Sequence, residues 1–151
     1  MSKEAFEKLK RIVGDNSDIV DVGSPASDDA VHSAEKYLSI SFPEDYKLFL
    51  KTWGTLAIGP REYYGIAGSD FENSSVPNGI WFTSKKRAQL DLPNNLIVVC
   101  DNDGVEYLCI DINNKKGSSV VVTWNVPSRE CLSVKSQDLF SFIIEDAEDF
   151  L

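Results

Sequence analysis

The sequence predicts an α+β fold in a single domain, with N-terminal helices, a central and largely antiparallel sheet of about five or six strands, and a C-terminal helix packed on that sheet. Helical periodicity is concentrated in the N-terminal part of the chain and returns at its end. Runs of β-branched and aromatic residues fill the middle and late chain, and helices do not alternate with them. A length of 151 residues suits one domain, residues 1–151, whose core needs neither disulfides nor metal.

Two helices are predicted before residue 39. The first spans about Lys3–Val13, has apolar residues on one face and is expected to end at Gly14. Ser27 can cap the second helix through its side-chain oxygen. The residues of this second helix that the spacing turns inward are Val31, Ala34 and Leu38.

The third helix has a predicted start, a buried face and an end. Pro43 suits a first helical turn, and Ser41 and Glu44 have the spacing of a capping box. Glu44 and Asp45 place negative charge at the positive end of the helix dipole. Gly54 can take the left-handed conformation that ends a helix. The apolar stripe between these ends consists of Tyr46, Phe49, Leu50 and Trp53.

Two further helical segments follow. Residues 77–90 combine a strand-like run, Ile80–Thr83, with a helical one, Ser84–Gln89, and we favour a helix over a strand. The last helix is expected to start near Ser136, which can cap it. Its buried residues are expected to be Leu139, Phe140, Ile143, Ile144 and Ala147.

The strands are predicted from β-rich runs and the turns between them. Asn102-Asp103-Gly104 is a strong hairpin signal, because Asp-Gly favours a tight turn. The Ser-, Asn- and Gly-rich segment Ala67–Asn78 is expected to be the most mobile. The candidate strands are Thr55–Ile58, Glu62–Ile66, Asn95–Cys100, Glu106–Ile112, Ser119–Trp124 and Cys131–Val134.

The charge balance is the one strong bias of the composition. The chain has 24 acidic and 15 basic residues and a net charge of −9. No Lys or Arg occurs between Ala88 and Asn114, or after Lys135. Such a surface repels phosphate backbones, which disfavours direct nucleic-acid binding, and it attracts basic proteins. Acidity that merely aids solubility is the alternative interpretation.

The cysteines and the N-terminus indicate a cytoplasmic protein. No signal-peptide or membrane-spanning run is found, and the first residues are highly charged. Cys100, Cys109 and Cys131 lie in apolar, β-like contexts and are expected to be buried, reduced thiols. A tight turn at Asp103-Gly104 would place Cys100 and Cys109 diagonally, so we expect no disulfide between them.

Motifs for catalysis, metals and cofactors are not found. His32 is the only histidine and is expected on a solvated helix face, so a nucleophilic triad is disfavoured. Asp101–Glu106 hints at a calcium loop, but a hairpin turn explains the same residues. Glycine-rich phosphate-binding motifs are absent. The three tryptophans, expected mostly in the core, are Trp53, Trp81 and Trp124.

Three segments, in order, carry a resemblance to a known family. Residues 34–46 resemble the "aE..Lgi.lP.dy" signature of the SUKH superfamily, and residues 92–111 are similar to its "lp..l.vi..dg.ey.clD" hairpin. Val120–Asn125 is a weaker third match, so the likeness is strongest over residues 28–145. Trp53-Gly54 departs from the Asn-Gly pair frequent in the family. The superfamily includes bacterial toxin-immunity proteins, yeast cell-wall-synthesis regulators and Syd.

The resemblance implies a protein that binds another protein and is not an enzyme. We expect an immunity protein that occludes a cognate toxin, often a nuclease, through an acidic surface, without metal or cofactor. A regulatory or scaffold module that binds a housekeeping protein is the alternative. We expect a monomer or weak homodimer with no membrane partner. From loops and turns at sheet ends, the candidate partner-binding residues are Glu62, Asp70, Glu72, Asp101, Asp103 and Glu106.

Overall fold

A computed structural model describes residues 3–113 and 119–151. A short 3₁₀ turn, Glu148–Phe150, ends the chain. The helices of the described residues are α1 (Lys3–Asp15), α2 (Asp28–Leu38), α3 (Glu44–Thr52), α4 (Gly79–Leu90) and α5 (Leu139–Ala147). The strands are β1 (Val20–Val22), β2 (Leu56–Ile58), β3 (Arg61–Tyr63), β4 (Leu96–Asn102), β5 (Glu106–Asp111), β6 (Val120–Asn125) and β7 (Glu130–Ser136).

The strands form two antiparallel sheets. Strands β1, β2 and β3 form one sheet in that order, and β4 to β7 form a four-stranded meander. The amide of Tyr64, just after β3, donates a hydrogen bond of 2.8 Å to the carbonyl of Val99 in β4, which joins the sheets. The predicted α+β class is confirmed, although the strands are divided between two sheets. Strand β1 was not predicted, because three residues in a polar connector carry too little pattern.

Alternation along the meander gives it two buried faces, each with its own core. Ile97 and Ile110 face a core shared with the helices, and Val98 and Cys109 face the opposite one. Phe82 of α4 covers the opposite face. Helix α5 packs against β6 and β7, as predicted for the C-terminal helix. Its residues in the helical core include Phe140, Phe142 and Ile143.

The N-terminal end of α3 differs from the prediction, and the C-terminal end agrees with it. Pro43 is the N-cap residue rather than the first helical residue, and no side chain caps the helix. The predicted capping box of Ser41 and Glu44 is therefore wrong. The carboxylate of Glu35 accepts a bond of 2.7 Å from the Phe42 amide instead, which fixes the α2–α3 corner. Gly54 has a positive φ of 74°, as predicted, and a Cβ there would lie 2.0 Å from the Ser24 carbonyl oxygen.

The predictions for the other helices are partly confirmed. Ser27 caps α2 as predicted. Helix α1 continues through Gly14 to Asp15, so the predicted stop is wrong. Asp138, not Ser136, caps α5 by accepting bonds from the amides of Phe140 and Ser141. Residues Gly79–Leu90 are helical, which decides the open choice in favour of a helix.

The cysteines follow the prediction except at β7. Cys100 and Cys109 are buried free thiols, and Cys109 pairs with Val98 rather than with Cys100. Cys131 is exposed, so its predicted burial is wrong. It lies in β7, the edge strand of the meander, where every residue but the last is exposed. No helix in the described ranges is long and apolar enough to cross a membrane.

Candidate partner-binding surfaces

The six predicted partner-binding residues occupy two places. Glu62, Asp101, Asp103 and Glu106 lie in β3 and the β4–β5 hairpin, and we call this region the acidic end of the sheet. Asp70 and Glu72 lie instead in the loop that follows β3 and leads to α4. The structure thus brings four of the six predicted residues together and leaves two beside a different feature.

The β4–β5 turn holds its carboxylates in a defined geometry. The carboxylate of Asp101 accepts a bond of 2.8 Å from the Gly104 amide. Asp103 and Gly104 both have positive φ, 54° and 72°, a conformation that Gly adopts freely and Asp tolerates. The Val105 carbonyl accepts a bond of 2.9 Å from the Val126 amide, which ties the turn to the β6–β7 connection. The predicted turn is confirmed.

Glu62 and Asp101 both lie close enough to Tyr64 to affect its electrostatics. Burial raises the pKa of Tyr64, and the negative charges of Asp101 and Glu62 raise it further. Neither carboxylate forms an ion pair within the described residues, nor do Asp103 and Glu106. The acidic end therefore carries uncompensated negative charge.

An apolar side chain lies within the acidic end. Val105 is 54% exposed, between Asp103 and Glu106 in the sequence. Interfaces commonly combine an apolar contact with a charged rim. Val105 was not among the residues predicted to bind a partner. Its position directly after Asp103-Gly104, at a predicted turn, could have indicated that its side chain is exposed.

A buried ionic network supports β3 behind the acidic end. Arg61 donates two bonds of 2.9 Å to the carboxylate of Asp146 in α5, and the Tyr63 hydroxyl donates another of 2.6 Å. Burial and the bond to Asp146 raise the pKa of Tyr63, and burial raises that of the nearby Cys100 thiol to about 12. The network fixes β3 on α5, while burial leaves Cys100 an unreactive thiol.

The second feature is a cleft of about 630 Å³ between two segments, residues 23–33 and residues 66–71. Its lining side chains are mostly small, among them Ser24, Ala30 and Ser69. The buried residues Thr55 and Ile66 line it as well. We call this feature the cleft.

Close backbone contacts build the cleft. A Cβ at Gly65 would lie 1.8 Å from the Gly54 carbonyl oxygen, so only glycine fits there. On the outer wall, Phe71 packs on Tyr37 with ring centroids 5.4 Å apart. Asp70 holds that loop by accepting bonds of 3.0 and 2.9 Å from the amides of Glu72 and Asn73. The carboxylates of Asp70 and Glu72 are exposed beside the cleft.

The described residues contain no cluster of His, Cys, Asp and Glu that could hold a metal ion. The side chain of His32 is 88% exposed and approaches Glu35 at 3.9 Å, on the solvated face predicted for it. Trp53 and Trp124 are buried and Trp81 is half-buried.

The chain matches the family model SUKH_5, described as SMI1-KNR4 cell-wall, over residues 2–147, and it belongs to this family of the SUKH superfamily. The resemblance seen in the sequence is thereby confirmed.

The fold has a counterpart among solved structures. It is similar to the crystal structure of a protein from Pseudomonas syringae pv. tomato, with a TM-score of 0.65 and 18% identity over 96% of both chains. At this identity the likeness shows the fold alone. No curated protein matches the chain.

Proposed function

We propose that this protein is a cytoplasmic immunity protein that neutralises a toxin domain, often a nuclease, by covering its basic substrate-binding surface. It acts by binding, without catalysis. The observation that carries the proposal is the acidic end of the sheet, where the exposed Val105 lies between Asp103 and Glu106 in the sequence and none of the four carboxylates has an ion-pair partner among the described residues. Membership of the SUKH superfamily supports it, since immunity proteins are frequent in that group.

Electrostatics explain how such a surface works. A nuclease binds a polyanion, so the mouth of its active site is basic. A protein of net charge −9 is attracted to that mouth from a distance, which raises the association rate. At contact, carboxylates on a fixed turn lose little conformational entropy, and Val105 removes apolar surface from water. Occlusion then needs only stoichiometric binding.

The test is co-expression with the toxin domain encoded beside this gene. We expect that cells expressing both proteins survive and that the two proteins purify as a complex. The double variant Asp103→Lys/Glu106→Lys should weaken the complex about 10–100-fold, mainly through slower association, because like charges then face each other. Asp18→Lys is the matched control, since Asp18 is exposed outside the acidic end and should change affinity less than about threefold. Equal killing with and without the protein would refute the proposal.

The alternative is a regulatory or scaffold module that binds a housekeeping protein, and the cell-wall description of the matching family favours it. Gene context separates the two cheaply, because an immunity gene is expected next to the gene of a large toxin. A growth defect on deletion, with no toxin gene nearby, would favour the scaffold.

A further inference from the structure

The cleft is a site separate from the acidic end of the sheet. None of the four residues of the acidic end lines it. Its volume of about 630 Å³ lies in the range of ligand sites, roughly 300–1,000 Å³. Its walls come from two chain segments held in place by the Gly54–Gly65 contact and by the hydrogen bonds of Asp70.

The lining of the cleft suits an extended peptide. Small side chains on both walls leave the main chain within reach of a bound segment, and hydroxyls such as those of Ser24 and Ser69 can pair with peptide groups. Ile66 and Phe71 supply apolar surface for one small side chain. The site therefore combines a largely apolar lining with a few hydroxyl groups, which suits an extended segment that carries an apolar side chain.

The charges around the cleft select a basic occupant. Among residues 3–113 and 119–151, no Lys, Arg or His lines it. Asp29, Asp70 and Glu72 are exposed and each is adjacent in sequence to a lining residue, and no described basic side chain forms an ion pair with them. Asp28, next to the lining residue Ser27, is neutralised by Lys51 at 2.8 Å. The remaining carboxylates disfavour phosphate and carboxylate ligands and favour cationic side chains.

We infer that the cleft binds an extended protein segment with Arg or Lys on both sides of a small apolar residue. The apolar side chain packs on Ile66 and Phe71, and the basic side chains reach the carboxylates of Asp29, Asp70 and Glu72. In the cell this segment belongs to the basic partner proposed above, and the inference rests on the proposed function for that assignment alone.

The probe is the capped peptide acetyl-Gly-Ala-Arg-Val-Arg-Ala-Gly-amide, titrated into ¹⁵N-labelled full-length protein and followed by NMR. We expect chemical-shift changes confined to amides around the cleft, among them Gly23 and Gly68, with a Kd of about 0.1–1 mM. The same peptide with Glu in place of both Arg residues should bind at least about tenfold more weakly. Shifts spread over the whole acidic surface, or equal binding of the Glu peptide, would overturn the inference.

Two variants locate the site. Ala30→Phe fills the cleft from α2 and should weaken peptide binding at least about tenfold. Ala88→Phe, its control, adds the same side chain at an exposed position of α4 outside the cleft and should leave the Kd unchanged. Asp70→Asn keeps the acceptor that holds the loop, removes the charge and should weaken binding about two- to fivefold. An unchanged Kd for Ala30→Phe would refute the assignment.

The two proposals fail separately. If the peptide never binds but toxin neutralisation depends on Asp103 and Glu106, the cleft inference fails and the immunity function stands. If the peptide binds in the cleft but the neighbouring toxin kills unprotected cells, the immunity proposal fails and the cleft remains a site for a basic segment.

Discussion

Replacing Asp45 by Ala is predicted to cost about 3–5 kcal/mol of unfolding free energy, although the residue lies in the first turn of an ordinary-looking helix. Its side chain is fully buried. The carboxylate accepts bonds from the Ser119 amide, at 2.9 and 3.0 Å, from the Ser119 hydroxyl, and from the Leu139 amide, at 3.2 Å. It thereby joins α3 to the starts of β6 and α5.

The magnitude follows from the donors left behind. Ser119 and Leu139 are buried, so their amides would lose their acceptor without gaining bulk water. Each unsatisfied buried donor costs about 1–3 kcal/mol, and two amides and a hydroxyl are involved. Entry of one water would recover part of this cost. At about 2–4 °C per kcal/mol for a chain of this size, the melting temperature should fall by about 6–20 °C.

Urea unfolding followed by tryptophan fluorescence measures the effect, because Trp53 and Trp124 are buried in the two cores. The unfolding free energy of Asp45→Asn should fall between those of the wild type and Asp45→Ala. One acceptor oxygen remains in Asn, but its amide NH2 group, itself a donor, faces the other donors. Glu44→Ala is the matched control: this neighbouring residue is exposed, with one ion pair of 3.7 Å to Lys47, and should cost less than about 0.5 kcal/mol. If Asp45→Ala lowers the unfolding free energy no more than Glu44→Ala does, the buried hydrogen bonds of Asp45 do not stabilise the fold as predicted.

Three further predictions test other parts of the structure. A thiol reagent should modify Cys131 alone in the native protein and the two buried thiols only in urea, as mass spectrometry would show. Asp146→Ala should cost about 2–4 kcal/mol in urea unfolding, because it leaves Arg61 and the Tyr63 hydroxyl half-buried without their acceptor, whereas exposed Asp149→Ala should cost almost nothing. Stability should fall as pH rises above about 8.5, since the thiols of Cys100 and Cys109 and then the tyrosines lose protons in the unfolded chain while burial keeps the folded groups neutral; denaturation midpoints at pH 8 to 11 measure the summed loss for these thiols and for Tyr46, Tyr63 and Tyr64.

Most of the local patterns predicted the structure correctly, although those for the helix ends at Gly14, Ser41 and Ser136 did not, and contacts between distant residues were missed. The apolar stripe of α3, the Gly54 stop and the Asp103-Gly104 turn are local patterns, and all three are confirmed. The burial of Asp45 is set by Ser119 and Leu139, which lie 74 and 94 residues away. No local period or propensity carries that information.

The same limit applies to the candidate surfaces. Composition and turn signals selected six carboxylates, but only the folded chain, in which the Tyr64 amide bonds to Val99 of β4, brings Glu62 and Asp101 near the same side chain, Tyr64. The cleft was not predicted at all. Its walls come from segments with ordinary loop composition, and its shape depends on the contact between Gly54 and Gly65, which only the folded chain brings together.

The hydrogen bonds divide the predicted carboxylates into two kinds. Asp101 and Asp70 accept bonds from backbone amides of their own turns, so replacing either changes loop geometry together with charge. Asp103 has no such role in the described structure and lies at the exposed turn. Asn tolerates the positive φ of Asp103 as Asp does, so an effect of Asp103→Asn on a partner reports electrostatics, whereas a substitution at Asp101 would also disturb the turn. Interface mapping of this family member should begin at residues whose side chains the fold leaves unused.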